Sequence, residues 1–386
     1  MEKVISGNYA AAYGAKLARP KFIAFYPITP QTTIVEKLAD FSSAGELEAK
    51  FIPVESEHSA MAACIGAANT GVRTFTATSS QGLALMHELL FWAAGARLPI
   101  VMSNVHRALA PPTNLGADQT DSFAQRDTGW IQLECESAQE ILDSTLQAFR
   151  IAEEVMLPCM VCHDAFYLSH TYEPVDIPEA ELVDSYLPPY IPPFKLDSEN
   201  RLTFYASSTR CPATQYEYRY HAQQAMERVP EVLRKADEHF YELFGRRYGI
   251  VEEYYLDGAE LVIVAAGTMV STIRRVVEEF RQRGERVGLL RIRMFRPFPK
   301  EEIRQLLKSV PKVAVFDRNI SLGEGGILNQ SVKSTLYDVD QKPVVFGFIV
   351  GLAGVDITPD IIKNIVDYTL QQDTPEKDII WTEAIV

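Results

Sequence analysis

The sequence predicts an α/β protein with parallel β-sheets, organised in more than one domain. Apolar stretches of strand length alternate with amphipathic stretches of helical length from Lys21 to about Leu168, and the alternation begins again at Ala259. Strands that alternate with helices form parallel sheets that those helices cover. The chain has 386 residues, about two and a half times the ~150 residues of an average domain, so we expect two or three domains.

The first predicted domain covers residues 1–172 and is a doubly wound parallel sheet. Its strands are predicted at Phe22–Tyr26, Thr74–Thr78, Pro99–Asn104 and Met160–Phe166, and its helices at Gln31–Phe41, Leu83–Ala94 and Ala138–Val155. In the first of these helices, Ile34, Val35, Leu38 and Phe41 recur at helical spacing.

Residues 173–250 are predicted to separate the two domains. The stretch Tyr172–Pro193 is rich in proline and acidic residues, which predicts a stiff extended connector because proline cannot occupy a helix interior. The stretch Tyr216–Phe244 is charged on one face and too long for a loop. It therefore predicts a long helix.

The second predicted domain covers residues 251–386 and repeats the α/β pattern. Its strands are predicted at Leu261–Ala265, Val287–Ile292, Val313–Phe316 and Val344–Val350, and a helix at Val270–Arg283. Gly284 is a helix stop signal, and Thr358-Pro359 is typical of a helix start.

Composition excludes several classes of function. The chain has 37 Lys and Arg against 51 Asp and Glu, a net charge of −14, and no basic block, so nucleic acid and anionic membranes are poor partners. The longest apolar stretch, Gly82–Ala96, is interrupted by His87 and Glu88 and is shorter than the ~20 residues that a bilayer requires. Five irregularly spaced cysteines and the lack of a signal-like N-terminus predict the cytoplasm.

The first strand ends in Tyr26-Pro27-Ile28-Thr29-Pro30-Gln31, which is a candidate ligand site. Thr29 is placed as the N-cap of the next helix and Pro30 as its first residue. Open α/β sheets bind ligands at the carboxyl ends of their strands, and helix N-termini favour anions. Thr29 could therefore face a substrate carboxylate, and the alternative is a plain capping threonine.

Two charged residues follow other predicted strands. Glu57 lies in Glu55–Ala63, an acidic strand end before a helix of small residues that permit close approach of a second helix. Such an acid could meet a neighbouring subunit or hydrogen-bond a protonated cofactor ring, or simply suit the helix dipole. Arg107 follows a buried-type strand, where a guanidinium can hold a carboxylate by two hydrogen bonds.

Nucleotide and metal motifs are missing from the sequence. There is no G-x-x-x-x-G-K-[ST] run and no G-x-G-x-x-G after a strand, which removes support for ATP and dinucleotide roles. Cys159 and Cys162 have C-x-x-C spacing but lie in an apolar strand pattern without a second pair. An iron–sulfur cluster needs four ligands, so we expect no cluster in this chain.

Five motifs of the first domain together resemble the alpha subunit of the 2-oxoacid:ferredoxin oxidoreductases. They are Tyr26–Gln31, Glu55–Ala63, Thr74–Glu88, Arg107–Pro112 and Gln125–Trp130. Arg293–Pro299 and Phe348–Leu352 also resemble this family, so the likeness extends over essentially the whole chain. Members act on pyruvate, branched-chain 2-oxoacids or aryl glyoxylates such as phenylglyoxylate. The resemblance implies a pyrimidine-type thiamine pyrophosphate domain followed by a domain like the C-terminal domain of transketolases.

The resemblance also implies roles for individual residues. Glu57 matches the glutamate that hydrogen-bonds N1′ of the cofactor's aminopyrimidine, which favours the tautomer that removes the thiazolium C2 proton. Arg107 matches the arginine that holds the substrate carboxylate, and Thr29 matches the threonine beside it. Pro27 and Ile28 belong to the same motif as Thr29 and are assigned to cofactor binding.

By the same resemblance, the chain holds only half of an active site. A beta subunit binds the diphosphate and Mg²⁺ in this family, and the Gly-Asp-Gly run of that type is missing here, since Asp257-Gly258 lacks a preceding glycine. Ferredoxin-like gamma and delta subunits would carry [4Fe-4S] clusters, and ferredoxin or an NAD-linked flavoprotein would receive the electrons. Coenzyme A would be the co-substrate, and a dimer of hetero-oligomers is the implied assembly.

His106 departs from the resemblance because many pyruvate-type members have asparagine at that position. The choice among pyruvate, a branched acid and an aromatic acid therefore stays open. Two other functions also remain. One is a thiamine pyrophosphate-dependent transketolase or decarboxylase without redox partners, and the other is a non-catalytic assembly subunit in which Glu57 and Arg107 are dispensable.

Overall fold

The computed structural model describes residues 1–197 and 212–382, which contain fifteen strands and thirteen α-helices. The strands are β1 (Glu2–Ser6), β2 (Phe22–Phe25), β3 (Lys50–Pro53), β4 (Thr74–Thr78), β5 (Val101–His106), β6 (Ile131–Glu134), β7 (Cys159–Asp164), β8 (Tyr172–Asp176), β9 (Val251–Tyr254), β10 (Leu261–Ala265), β11 (Val287–Ile292), β12 (Met294–Arg296), β13 (Lys312–Asp317), β14 (Val344–Ile349) and β15 (Ile380–Trp381). The helices are α1 (Gly7–Ala18), α2 (Thr32–Ser43), α3 (Glu57–Asn69), α4 (Ser80–Leu85), α5 (His87–Gly95), α6 (Thr120–Phe123), α7 (Ala138–Val155), α8 (Ala180–Tyr186), α9 (Pro212–Phe244), α10 (Met269–Gln282), α11 (Lys300–Leu307), α12 (Ile327–Thr335) and α13 (Pro359–Gln371).

The larger sheet has seven strands in the order β12-β6-β7-β5-β4-β2-β3. All neighbours are parallel except β12, which is antiparallel to β6. Its central strands β4, β5 and β7 are buried along their whole length, as expected for a parallel sheet with both faces covered. Helices α1 and α7 pack on one face over an alanine-rich contact that permits close approach.

The smaller sheet has six strands in the order β15-β14-β13-β10-β11-β9. Only β9 is antiparallel to its neighbour. Helices α10 and α13 cover one face with Phe280, Ile273, Ile362 and other apolar side chains, which form a separate core. A third, two-stranded ribbon pairs β1 with β8 in antiparallel fashion.

Most predicted elements are confirmed, several of them residue for residue. Helix α7 and strands β4, β10 and β11 have the predicted bounds, and Thr358 caps α13 by accepting from Ile361 N, with Pro359 in the first turn. The predicted helix Leu83–Ala94 is divided at Met86 into α4 and α5.

Two local predictions are wrong. The Pro-rich stretch after Tyr172 is not simply extended, because it contains β8 and α8; Pro174 is tolerated in β8 since that strand lies at the edge of a two-stranded ribbon. Thr29 is not an N-cap, because α2 begins later, at Thr32, after Gln31.

Buried ion pairs join the two sheets. Arg291 Nη2 and Arg293 Nε donate to the Glu140 carboxylate of α7, and all three side chains are almost completely buried. At another point, Asp164 at the end of β7 accepts from Thr268 N (3.1 Å) and Arg318 Nη1 (3.0 Å). Because an unpaired buried charge costs several kcal/mol, these pairs specify how the second sheet docks on the first.

Within the described ranges, no helix combines the length and the apolar character that crossing a membrane requires.

Candidate active site

The carboxyl ends of four neighbouring parallel strands carry the predicted residues Thr29, Glu57 and Arg107 together with Gln81, which was not predicted. Thr29 follows β2, Glu57 follows β3 as the first residue of α3, Gln81 lies in α4 after β4, and Arg107 directly follows β5. Strands β2 and β4 are adjacent, but the chain runs from β2 towards β3 and from β4 towards β5, in opposite directions across the sheet. Open α/β sheets bind their ligands at such a switch point.

Thr29 lies in a loop that hydrogen bonds to the ends of α1 and β4 hold in place. Gln31 Nε2 donates to Ala77 O (2.9 Å), and Asn8 Nδ2 donates to Pro30 O (2.7 Å). The Thr29 side chain itself is exposed at the sheet edge. The loop is therefore held in place, while Thr29 itself stays exposed to solvent.

Pro27 and Ile28 precede Thr29 in the same loop. Pro27 is exposed and Ile28 is half-buried. Among the described residues, neither makes a hydrogen bond to Glu57 or Arg107, so their assignment to the cofactor stays a prediction.

The Arg107 guanidinium bridges two of these strand ends. Its Nη1 donates to Thr29 O (2.6 Å) and its Nη2 donates to Gln81 Oε1. Arg107 is 9% exposed, and its Nε is buried with no partner among the described residues. Since a guanidinium has five N–H donors, Arg107 keeps donors free for a ligand after fixing both loops.

Glu57 is a largely buried acid, and no donor in the described part of the chain hydrogen-bonds its carboxylate. Its residue is 7% exposed and lies in the first turn of α3, whose N-cap Ser56 accepts from Ser59 N. A Cβ at Gly82 would lie 2.6 Å from Glu57 Oε1. Only glycine therefore leaves room for this carboxylate beside α4.

Charges at the site influence one another. Burial lowers the pKa of Arg107, and the nearby carboxylates of Asp121 and Glu57 oppose that shift. Glu57 lies against Gly82, and Arg107 Nη2 donates to the preceding residue, Gln81, so the structure brings the two predicted residues to the same part of α4. An anion bound at Arg107 and a hydrogen-bond donor bound at Glu57 would occupy adjacent positions.

Unpartnered polar atoms cluster around these two side chains. Thr78 Oγ1, Gln81 Nε2 and Arg107 Nε are buried and have no hydrogen-bond partner among the described residues. Gln81 Oε1 accepts from Arg107 Nη2 and lies 2.6 Å from Ser80 Oγ, so its Nε2 is directed away from them. Because buried polar atoms are normally hydrogen-bonded, this cluster fits a polar ligand such as a carboxylate beside an aminopyrimidine.

The sequence does not identify several residues that form the site. Gln81 and Gly82 lie inside the motif Thr74–Glu88, which the sequence marks only as a whole. Asp121 lies in the short helix α6, and its Oδ2 accepts from Arg107 N (3.3 Å). The small and polar residues Ser79-Ser80-Gln81-Gly82 follow directly after β4 and begin α4. Their position at a strand end is the signal that could have indicated Gln81 and Gly82 as site residues.

Two protein-family models match the chain. The first, described as pyruvate flavodoxin/ferredoxin oxidoreductase, thiamine diphosphate-binding, matches residues 13–238. The second, described as pyruvate:ferredoxin oxidoreductase core domain II, matches residues 259–362. The chain belongs to the 2-oxoacid:ferredoxin oxidoreductase family. The resemblance inferred from the motifs is thereby confirmed, and with it a thiamine diphosphate-binding domain.

Relatives in this oxidoreductase family match over nearly their full length. Pyruvate synthase subunit PorA of Methanothermobacter thermautotrophicus is 51% identical, covering 98% of this chain and 97% of the relative. Ketoisovalerate oxidoreductase subunit VorA of Pyrococcus abyssi is 50% identical, covering 95% of this chain and 93% of the relative. Both relatives are named as subunits, which indicates enzymes with several kinds of chain.

Solved structures confirm the predicted fold. A 2-oxoglutarate:ferredoxin oxidoreductase from Magnetococcus marinus superimposes with a TM-score of 0.74 at 21% identity, over 96% of this chain and 65% of that chain. A split gene transketolase superimposes with a TM-score of 0.56 at 13% identity, over 95% of this chain and 99% of that chain. The chain thus spans about two thirds of the length of the first of these solved chains.

Proposed function

We propose that this oxidoreductase subunit acts in the oxidative decarboxylation of a 2-oxoacid with coenzyme A. One 2-oxoacid, one coenzyme A and two one-electron acceptors give acyl-coenzyme A, CO₂, one proton and two reduced acceptors. The observation that carries the proposal is the arrangement of Glu57 and Arg107 on either side of α4. Glu57 is 7% exposed and lies against Gly82, and Arg107, whose buried Nε has no partner among the described residues, donates to the preceding residue, Gln81. A non-catalytic assembly subunit would have no use for such a pair.

Glu57 is proposed to bind the aminopyrimidine ring of thiamine diphosphate. When bound, this cofactor supplies the nucleophilic carbon and the electron sink of the decarboxylation. The Glu57 carboxylate accepts a hydrogen bond from N1′ and thereby holds a proton at that atom. Its burial and its place beside Gly82 fix it in one position. Pro27 and Ile28, in the loop after β2, are proposed to pack against the same ring.

Arg107 is proposed to bind the carboxylate of the 2-oxoacid. Its Nη1 and Nη2 are each held by one protein acceptor, so the free Nε can donate together with the second Nη2 hydrogen along one edge of the guanidinium. Gln81 Nε2 supplies a further donor beside it, and Thr29 borders the same place. The substrate is thus oriented by groups from three strand ends.

Partner subunits are proposed to supply the remaining groups. A beta-type subunit would bind the diphosphate and Mg²⁺, and gamma and delta ferredoxin-like subunits would carry [4Fe-4S] clusters that pass electrons to ferredoxin or an NAD-linked flavoprotein. The cysteines support this division, because burial raises the pKa of both Cys64 and Cys162 to about 12 and so disfavours thiolate ligands. Residues 1–172 would form the pyrimidine-binding domain and residues 251–386 the transketolase-like domain, and the cytoplasm is the proposed location.

Exchange of the cofactor's C2 proton with deuterium tests the role of Glu57 in the assembled enzyme. Glu57→Gln is nearly isosteric but cannot accept from N1′ in the same way, so we expect exchange to slow by about 10²–10⁴-fold. Glu55→Gln is the matched control, since the Glu55 carboxylate is exposed and accepts from Ser59 Oγ. Unchanged exchange in Glu57→Gln, or an equal loss in Glu55→Gln, would contradict the assignment.

A further inference from the structure

His106, the last residue of β5, lies between two carboxylates in the interior of the larger sheet. Its Nδ1 is 2.8 Å from Asp121 Oδ1, its Nε2 is 2.9 Å from Glu134 Oε2, and all three side chains are completely buried. Because each ring nitrogen faces a carboxylate oxygen, both nitrogens must carry hydrogen. Burial disfavours the charged ring, but Glu134 and Asp121 outweigh it and hold the pKa of His106 well above its usual value.

The same geometry argues against a metal site at this place. His106, Glu134 and Cys162 offer ligand atoms within 4.8 Å of one another. A metal would need a free lone pair on the imidazole, whereas both ring nitrogens already donate to carboxylates. Burial also raises the pKa of the Cys162 thiol to about 12, which disfavours the thiolate. The charged ring therefore acts on its carboxylate partners.

Asp121 connects His106 to the proposed substrate site. Its Oδ1 faces the imidazole, and its Oδ2 accepts from Ser80 N (3.0 Å), Asn104 Nδ2 (3.3 Å) and Arg107 N (3.3 Å). The carboxylate thus holds the main chain at the two positions that present Gln81 and Arg107. These are the side chains whose free N–H groups line the site.

The main chain at Ser80 has a strained conformation that surrounding contacts must stabilise. Ser80 has a φ of +49°, in the left-handed region that residues with a side chain rarely occupy. A non-glycine residue in that region costs about 1–3 kcal/mol and persists only where surrounding contacts fix it. Here the contacts are the Asp121 carboxylate, which accepts from Ser80 N, and the Ser80 hydroxyl, which lies between two acceptors, Ala108 O (2.7 Å) and Gln81 Oε1 (2.6 Å), and donates its one hydrogen to either of them.

We infer that His106 is a positioning residue, whose imidazolium holds the Asp121 carboxylate in place so that Arg107 and Gln81 meet the substrate carboxylate. The inference rests on the proposed role of Arg107. Without the imidazolium, the buried carboxylates of Asp121 and Glu134 would both lose the cation that lies 2.8 and 2.9 Å from them, and Asp121 would no longer be held on that side. The hydrogen bonds that Asp121 Oδ2 accepts from Ser80 N and Arg107 N would then weaken.

Steady-state kinetics of the assembled enzyme test this inference. His106→Asn keeps a donor near Asp121 but removes the charge, and the double variant His106→Asn/Glu134→Gln also removes the buried carboxylate that would otherwise destabilise the fold. We expect both variants to raise KM for the 2-oxoacid about tenfold or more, with kcat changed less than about threefold. The reason is that a displaced guanidinium weakens binding of the substrate and of the transition state by the same amount. Exchange of the cofactor's C2 proton should stay at the wild-type rate.

A control variant separates positioning from general destabilisation. Asp143 is an equally buried carboxylate, paired with Arg246 Nε (2.6 Å) and Tyr248 Oη (2.6 Å) away from the site. Asp143→Asn should lower stability without raising KM. A KM in the folded double variant that equals that of Asp143→Asn would overturn the role of His106. If KM rises in Arg107→Lys but not in the His106 variants, only the positioning role is wrong, whereas an unchanged KM in Arg107→Lys contradicts the proposed function itself.

Discussion

Gly82→Ala is the substitution that tests the geometry around Glu57 most sharply. The added methyl carbon would lie 2.6 Å from Glu57 Oε1, 2.8 Å from Glu57 Cγ and 2.5 Å from Thr78 Oγ1. An ordinary contact begins near 3.4 Å, so the carboxylate must retreat by roughly 0.8 Å, the difference between 3.4 and 2.6. Because a displacement near 1 Å in a catalytic group can cost about 10²-fold, we expect C2 proton exchange to slow by roughly 10- to 100-fold.

The fold should survive this substitution. Alanine is a better helix former than glycine by up to about 1 kcal/mol, which partly offsets an overpacking cost of about 1–3 kcal/mol. Gly95→Ala is the matched control, since it lies in α5 and its Cβ would meet nothing within 4 Å. The assay is deuterium exchange at C2 in both assembled variants. Wild-type exchange in Gly82→Ala would refute the placement of the Glu57 carboxylate beside α4.

Two further predictions concern Arg107 and His163. Arg107→Lys keeps the charge but loses the planar guanidinium, so ~1.5–3 kcal/mol of transition-state stabilisation is lost and kcat/KM should fall about 10- to 150-fold, while C2 exchange is unchanged. Equal turnover by variant and wild type at subsaturating 2-oxoacid would remove Arg107 from the site. Burial lowers the pKa of His163 to about 3 from 6.5, so its neutral form is favoured by folding, and this stability is present above pH 6.5 and lost as the pH falls towards 3. The stability deficit of His163→Gln should therefore shrink by about 1.4 kcal/mol per pH unit between pH 6 and pH 4 in denaturant unfolding, and a deficit that stays constant would contradict the burial of a neutral imidazole.

Regular periodicity explains why much of the fold could be predicted from the sequence. Helix α7 and strand β10 have the predicted bounds because long amphipathic and continuous apolar patterns specify them locally. The same patterns do not predict strand β6, because Gln132 and Glu134 make it look polar. Their burial depends on partners elsewhere in the fold: Gln132 Nε2 donates to Ser122 O (2.7 Å), and Glu134 pairs with His106.

The site could be predicted only in part, for a related reason. Ligands bind at the carboxyl ends of parallel strands, and this rule alone predicts that Thr29, Glu57 and Arg107 share one edge of the sheet. Gln81 could not be assigned in the same way, because its role follows from the hydrogen bonds that orient its amide. Asp121 is joined to Arg107 across fourteen positions of sequence, a contact that no local pattern encodes.

The central claim is that the Glu57 carboxylate acts through N1′ of thiamine diphosphate. The most direct measurement is C2 proton exchange in four assembled enzymes, with wild type and Glu57→Gln each loaded with thiamine diphosphate or with an analogue in which carbon replaces N1′. If the two groups form one interaction, the analogue and the substitution remove the same stabilisation, and the doubly changed enzyme should exchange no more slowly than the slower single change. Losses that multiply in the doubly changed enzyme would show that Glu57 and N1′ act independently, which would contradict the claim.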